Sequence, residues 1–399
     1  MERTLKLALN KFDQVPKSLI DGKSGCPLEE ITVNLTSLYH HYYLDSYGRI
    51  PPDPDPAQFE YLRFLLPTSD FRLKGDGIGV CTAVRRHSST ALGQAFCRWF
   101  LHEHVGITYF AHMQHVLDKP PAPGFDGLKV QRVDHGDVPD YLCAEEATKG
   151  VFIAEAKGRY SAINFKNREF ASWRKQFERV LVTDGHGLPR TLKGYIVGTR
   201  YATEESASTV QSGLAAEDPQ TPGEKPLDAG ETRSLAAAIA VRHYADIATK
   251  LNQPRLGAAL ESGAGLPDQY LVNAVIWEYQ GLELAKRRFV GGYYPNGTGV
   301  IPIQLTDERQ LVRRAPDPLR LDVGEGTFFG LEESIFRQIV QFARRSARDS
   351  RGREVELPNV PEFSRYEQTR HFYSAISILR DGSIFAPVEF FSPVQPIRI

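Results

Sequence analysis

Between Gly150 and Gly158 runs a short apolar segment, Val151 to Lys157, that reads as a buried strand yet carries two full charges, Glu155 and Lys157. Side chains alternate along a strand, so both charges share one face with Val151 and Ile153, while Ala156 faces the other way. Asp140 to Ala144 reads as the preceding strand, with Pro139 tolerated at its first position, and Glu145 to Gly150 as the polar turn between them. Antiparallel neighbours lie about 5 Å apart. Asp140 and Glu155 can therefore approach one metal ion from adjacent strands. Buried charge is costly without a partner or a metal, which argues against the ordinary alternative of a turn Asp and a solvated Glu/Lys pair on an edge strand.

Two carboxylates and an amine are the minimum equipment for metal-assisted hydrolysis of a phosphodiester. Hard cations such as Mg²⁺ take carboxylate oxygens along with water and substrate phosphate. Lys157 can orient the water or stabilise charge on phosphorus, and the carbonyl of Ala156 is a further oxygen ligand in reach. The stretch VPDYLCAEEATKGVFIAEAKGRY resembles the PD-(D/E)xK, or restriction-endonuclease-like, nuclease superfamily, with Asp140, Glu155 and Lys157 matching its signature. The fold class implied is α/β (α+β), with a central mixed sheet flanked by helices.

The flanks extend the resemblance. Phe165 to Val182 is expected as a helix with an apolar stripe of Phe170, Trp173, Phe177 and Val180-Leu181; Arg168, Ser172, Lys175 and Arg179 fall opposite. Gln176 borders the stripe. The resemblance makes it a supporting residue of the site, and a surface amide is the other reading. Leu192 to Tyr201 is expected as a core strand. Upstream, Ser89 to His104 reads as a helix on whose apolar stripe Glu103 falls, with Gly106 to Phe110 as the next strand. The resemblance makes Glu103 an extra acidic metal ligand; a helix-end Glu reaching solvent is the alternative. Residues 151–200 hold ten Lys and Arg against four Asp and Glu on a chain of net charge −1. Arg159, Arg168, Lys175 and Arg179 are the expected phosphate-tracking residues, unless the excess is only a solvated basic face.

At 399 residues with 41% hydrophobic content the chain can hold two or three globular domains. The expected divisions are an N-terminal accessory region over 1–85, the nuclease core over 86–201, a flexible acidic loop or linker over 202–233, and a mixed α/β region over 234–399. Residues 202–232 are rich in Ser, Thr, Ala, Gly and Pro and read as unable to order themselves. Within the first region, Pro51 to Pro56 reads as a rigid proline stretch and Phe59 to Leu66 as helical, with a small basic cluster over residues 70–90. In the last region, helices are expected over Ser234–Leu251, Asp268–Lys286 and Leu331–Arg348. A strand is expected over Phe289–Tyr294, and a hairpin turning at Asp381-Gly382. Four scattered cysteines suggest reduced thiols rather than a disulfide frame.

Other constellations are weaker. His112-x-x-His115 could bind metal, but no cysteine or acid stands at zinc-like spacing; His40-His41 among tyrosines reads as packing. Gly22-Lys23-Ser24 ends like a P-loop, yet Lys17 stands where its first glycine is needed, so no ATPase is read. The expectation is a Mg²⁺-dependent endonuclease, with Mn²⁺ able to substitute. Double-stranded DNA is the expected substrate, and the resemblance suggests bacterial defence against foreign DNA. Its site would be Asp140, Glu155, Lys157 and Gln176, with Ala156 and Glu103 as further ligands. The flanking regions leave room for a protein partner or a homo-oligomer, and no membrane segment or leader is read, so the expected location is cytoplasmic. The alternative is a nucleic-acid-binding or interaction subunit with a nuclease-like fold and no cleavage of its own.

Overall fold

The computed structural model describes residues 2–46, 64–118, 128–145, 150–281, 284, 286–295, 303–305, 311–313, 326–348 and 376–399. The chain forms mixed α/β structure in two units, the described residues up to His243 in the first and those from Tyr244 in the second.

The first unit is built on a seven-stranded sheet. Its strands are β1 (Glu2–Asn10), β2 (Glu30–Asn34), β3 (Ile107–His112), β4 (Tyr141–Glu145), β5 (Val151–Arg159), β6 (Lys193–Arg200) and β7 (Gly213–Glu217), in the order β2-β1-β7-β6-β5-β4-β3. β5 runs parallel to β6, and β1 parallel to β7; the other pairs are antiparallel. The sheet is therefore mixed, and its central strands are buried on both faces, which is why β5 and β6 read as apolar runs.

Among the helices that attend this sheet are α1 (Leu35–Ser46), α2 (Thr82–Phe100) and α3 (Arg168–Phe177). Asn34 caps α1, its Oδ1 accepting from the N–H groups of Thr36 and Ser37. Asn167 caps α3 by accepting from Phe170 N–H at 2.8 Å. α2 runs on through a π-helical turn, Leu101–Val105, closed by Gly106 at φ 95°.

α2 and α3 cover opposite faces of the sheet. A Cβ on Gly158 would lie 1.8 Å from Ser89 O of α2, and one on Gly93 of α2 would lie 2.5 Å from Gly158 N, so helix and strand meet backbone to backbone. On the other face, Gly198 lies beside Lys157 in register, and its missing side chain leaves room for Trp173 of α3. α3 thus lies over the face that carries Glu155 and Lys157.

Several expectations are corrected here. Residues 2–46 are not part of a separate accessory region; β1, β2 and α1 belong to the same unit and sheet as β5. The expected linker over 202–233 contains β7, whose Leu214, Ala215, Ala216 and Glu217 are buried between β1 and β6. Small residues there signal tight packing, not disorder. The helix expected over Phe165–Val182 stops at Phe177. The β-branched Val180–Thr183 instead pairs with Lys129–Arg132 and Pro189–Thr191 in a four-stranded side sheet. Pro51–Pro56, Phe59–Arg63 of the expected helix, and 146–149 of the expected turn lie outside the described residues.

The second unit holds a six-stranded sheet of β8 (Asn273–Tyr279), β9 (Arg288–Pro295), β10 (Gly326–Glu332), β11 (Ser377–Ile378), β12 (Ser383–Pro387) and β13 (Phe391–Arg398), in the order β11-β12-β10-β9-β8-β13. Trp277, Phe289, Phe328 and Phe391 centre its core. No helix forms among the described residues of the span expected as one, Asp268–Lys286; its middle is β8, where Val275, Trp277 and Tyr279 recur at every second place. The β11–β12 hairpin turns at Asp381-Gly382 as expected, with Gly382 at φ 82° and Asp381 Oδ1 accepting from Ser383 N–H. The long helix α4 (Ala229–Lys250) bridges the boundary in sequence; α5 (Pro254–Ser262) and α6 (Glu333–Arg348) follow. Among the described residues, no helix is long and apolar enough to cross a membrane.

Candidate active site

The β4–β5 hairpin brings the charged residues together. Tyr141 pairs with Ala154 and Leu142 with Ile153, which sets Asp140 one step further on, beside Glu155. Asp140 is anchored at both ends. Its carbonyl accepts from Met113 N–H at 2.8 Å, and its Oδ2 accepts from Ala156 N–H at 2.8 Å. Ala156, 2% exposed, thus aims the first carboxylate through its backbone.

Glu155 is fully buried. Lys157 Nζ pairs with its Oε1, while no hydrogen-bond donor reaches Oε2 among the described residues. Two residues along the same strand face is the shortest separation that lets a Lys and a Glu meet side by side. Burial pushes the Glu155 carboxyl well above the usual range, and the neighbouring Asp140 charge adds to this; Lys157 opposes both without cancelling them. Asp140 is raised as well, chiefly by burial, against the pull of Lys157 and of Ala156 N–H. Burial works to discharge Lys157, but the two carboxylates outweigh it and hold its amine protonated above the ordinary lysine range. The three groups form one electrostatic unit: two acids that resist ionising together and one amine between them.

Gln176 of α3 is buried, and its Oε1 meets no donor among the described residues. It lies on the helix that faces Glu155 and Lys157 without a hydrogen bond to either. Glu103 goes elsewhere. Expected as an extra acid beside Asp140, it sits in the π-helical turn, where its Oε1 accepts from Ser37 Oγ at 3.4 Å and lies 3.2 Å from His102 Nδ1. The wider turn of a π-helix breaks the α-helical spacing that placed it on the stripe.

The helical acid that bears on Asp140 is Asp45 of α1, which sequence reasoning missed. It is 1% exposed, and it gathers Tyr141 Oη at 2.7 Å, Arg98 at 3.3 Å and His112 Nε2 at 3.3 Å. Burial alone would raise its carboxyl; His112, Arg98 and Tyr141 together hold it down to about 2. The pair expected at His112-x-x-His115 survives as two rings 5.7 Å apart, but His112 is taken up by Asp45.

The basic excess is partly spent internally. Arg159 forms a two-pronged pair with Glu169, and Arg179 donates to Asp137 O. Arg174 grips Glu217, Arg190 joins Asp184 and Glu231, and Lys193 joins Asp218. Arg168 and Lys175, both exposed on α3, have no ion pair among the described residues. Of the four expected phosphate contacts, these two stay available to solvent and two are already engaged. No protein-family model, curated protein or solved structure matches this chain, so its chemistry rests on its own residues.

Proposed function

We propose that the protein is a metal-dependent nuclease, a Mg²⁺-dependent endonuclease acting on double-stranded DNA through Asp140, Glu155 and Lys157. The observation that carries this reading is Glu155: fully buried, beside a second carboxyl, paired on one oxygen with Lys157 and with no donor at the other. Nature seldom buries a carboxylate half satisfied, and a cation is the usual completion. The donor set fits a hard ion, being carboxylate oxygen with no thiolate or imidazole among the three. Support for a restriction-endonuclease-like core comes from the chain order of α2, β3, β4, β5, α3 and β6, with Asp140 immediately before β4 and Glu155 and Lys157 within β5.

Asp140 and Glu155 would hold the ion, with the Ala156 carbonyl as a further oxygen. When bound, Mg²⁺ or Mn²⁺ makes its water more acidic and offsets charge on the scissile phosphate. Lys157, kept protonated by the two acids, donates to a phosphate oxygen or orients the attacking water. Gln176 has an acceptor oxygen to help position that water. Arg168 and Lys175 would track the DNA backbone from outside, with Arg159 and Arg179 contributing where their internal partners release them. A role in cytoplasmic bacterial defence against foreign DNA, with a protein partner or a second copy, follows from the family resemblance alone.

Supercoiled plasmid incubated with Mg²⁺, Mn²⁺ or EDTA tests the reading. Metal-dependent nicking by wild type that disappears in Asp140→Ala and Lys157→Ala is the expected result. Metal-dependent DNA binding with no cleavage would favour the binding-subunit alternative. Neither binding nor cleavage would remove the nuclease reading.

A further inference from the structure

The geometry points to a second metal site, for a d-block divalent ion such as Zn²⁺, built by His41, His102 and Glu103. It does not depend on the nuclease reading.

The three residues come from two elements. His41 lies on α1, and His102 and Glu103 lie in the π-helical turn that prolongs α2. One ligand atom from each falls within 4.8 Å of the other two. The imidazoles of His41 and His102 stand with ring centroids 5.0 Å apart. Both rings are buried, at 1% and 4% exposure, while the Glu103 side chain is 41% exposed. Two imidazoles in a dry wall and a carboxylate at its rim make a three-ligand set with one side toward solvent. Zinc holds such ligands at about 2.0–2.2 Å, which puts them roughly 3.4 Å from one another. Small side-chain rotations would close the set to that spacing.

The ligand chemistry separates this site from the first. Imidazole nitrogens favour zinc, cobalt or nickel over magnesium, whereas the Asp140–Glu155 pair offers oxygens alone. Ser37 Oγ donates to Glu103 Oε1 and would orient that carboxylate as an outer partner. The π-helical turn itself is a second sign. Such turns cost hydrogen-bond geometry and gather at functional sites, and this one brings His102 and Glu103 to α1. An ion here would tie α1 to the end of α2. His41 precedes Asp45 by one helical turn, so the tie would steady the helix that presents Asp45 to Arg98, His112 and Tyr141. The inferred role is structural support, with no part in the chemical step.

The test uses full-length protein stripped with EDTA, desalted, and titrated with CoCl₂ and then ZnCl₂. The expected result is a visible Co²⁺ ligand-field spectrum at one equivalent, quenched by Zn²⁺, with a higher thermal midpoint in either metal. Asp140→Ala should keep the spectrum. His102→Ala should lose it. Glu103→Gln, a change at the exposed rim that leaves the fold intact, should weaken binding by about tenfold or more. Absence of the spectrum in wild type would overturn the inference. So would binding unchanged in both His102→Ala and Glu103→Gln, or binding lost in Asp140→Ala, which would assign the ion to the first site. Plasmid cleavage plays no part in the readout, so failure of the nuclease reading and failure of this one remain distinct.

Discussion

Glu155 and Glu217 occupy the same row of the same sheet and meet opposite fates. Ile196 of β6 pairs with Glu155 on one side and Glu217 on the other, so both side chains face α3, and both are fully buried. Glu217 is completed. Arg174 grips both its oxygens at 2.5 and 2.7 Å, Asn10 donates to it, and these outweigh burial to pull its carboxyl below the usual range. Glu155 has Lys157 at one oxygen and the Asp140 carboxyl beside it, and burial, with the Asp140 charge, drives it the other way. Both carboxyls are closed to water, and their partner sets differ. An arginine fork completes Glu217, whereas no donor among the described residues reaches Glu155 Oε2; under the proposed function that oxygen is where the cation would bind.

A graded series of experiments would sharpen or break that contrast. The largest effect should be on cleavage: Glu155→Gln should lower the single-turnover rate by about 10³-fold or more, whereas Glu217→Gln should leave most of it at temperatures where the protein stays folded. Comparable loss in both would end the distinction. Stability should change in opposite senses. In urea with EDTA at pH 8, Glu217→Gln should cost about 2–3 kcal/mol by stranding Arg174, while Glu155→Gln should gain about 1 kcal/mol by removing a poorly solvated charge.

The pH dependence follows the same logic. A carboxyl raised by folding contributes stability fully below its unfolded pKa, and loses it as pH rises through its higher folded value. The advantage of Glu155→Gln should therefore fade as the pH falls to about 4, and Mg²⁺ affinity of wild type, followed by calorimetry, should weaken in the same direction. Asp45 has the reverse sign. Its carboxyl is depressed to about 2, so its stabilisation holds above the ordinary Asp range and is lost as pH falls toward that value. Asp45→Asn should cost roughly 2 kcal/mol at neutral pH and nothing near pH 2, read by chemical denaturation. Smallest of all, Lys175→Ala should reduce the slope of log affinity against log salt for duplex DNA by about 0.9, with cleavage at low salt nearly unchanged.

What could be read from the chain was local. Asp140, Glu155 and Lys157 declare themselves because strand alternation converts their spacing directly into a shared face. The turn at Asp381-Gly382 is equally short-range. Glu217 escaped because its meaning depends on Arg174, 43 positions away, and on Asn10, 207 positions away. Its strand, Gly-Leu-Ala-Ala-Glu, has a loop-like composition because neighbours on both sides leave little room. Glu103 was misassigned because a π-helical turn breaks the periodicity used to place it. Asp45 was invisible, since its three partners come from three separate elements.

The placement of β7 has a consequence for anyone wishing to work with a smaller protein. It is the seam of the sheet, pairing β1 from the amino terminus on one edge and β6 on the other. A fragment cut to residues 86–201, the span that carries every residue of the proposed trio, would lack β1, β2 and β7 together. β6 would then present an open, apolar edge to solvent, an invitation to aggregation. Residues 2 to 217 form the shortest stretch that holds all seven strands, but the unit runs on to His243, and expression trials should begin from that boundary.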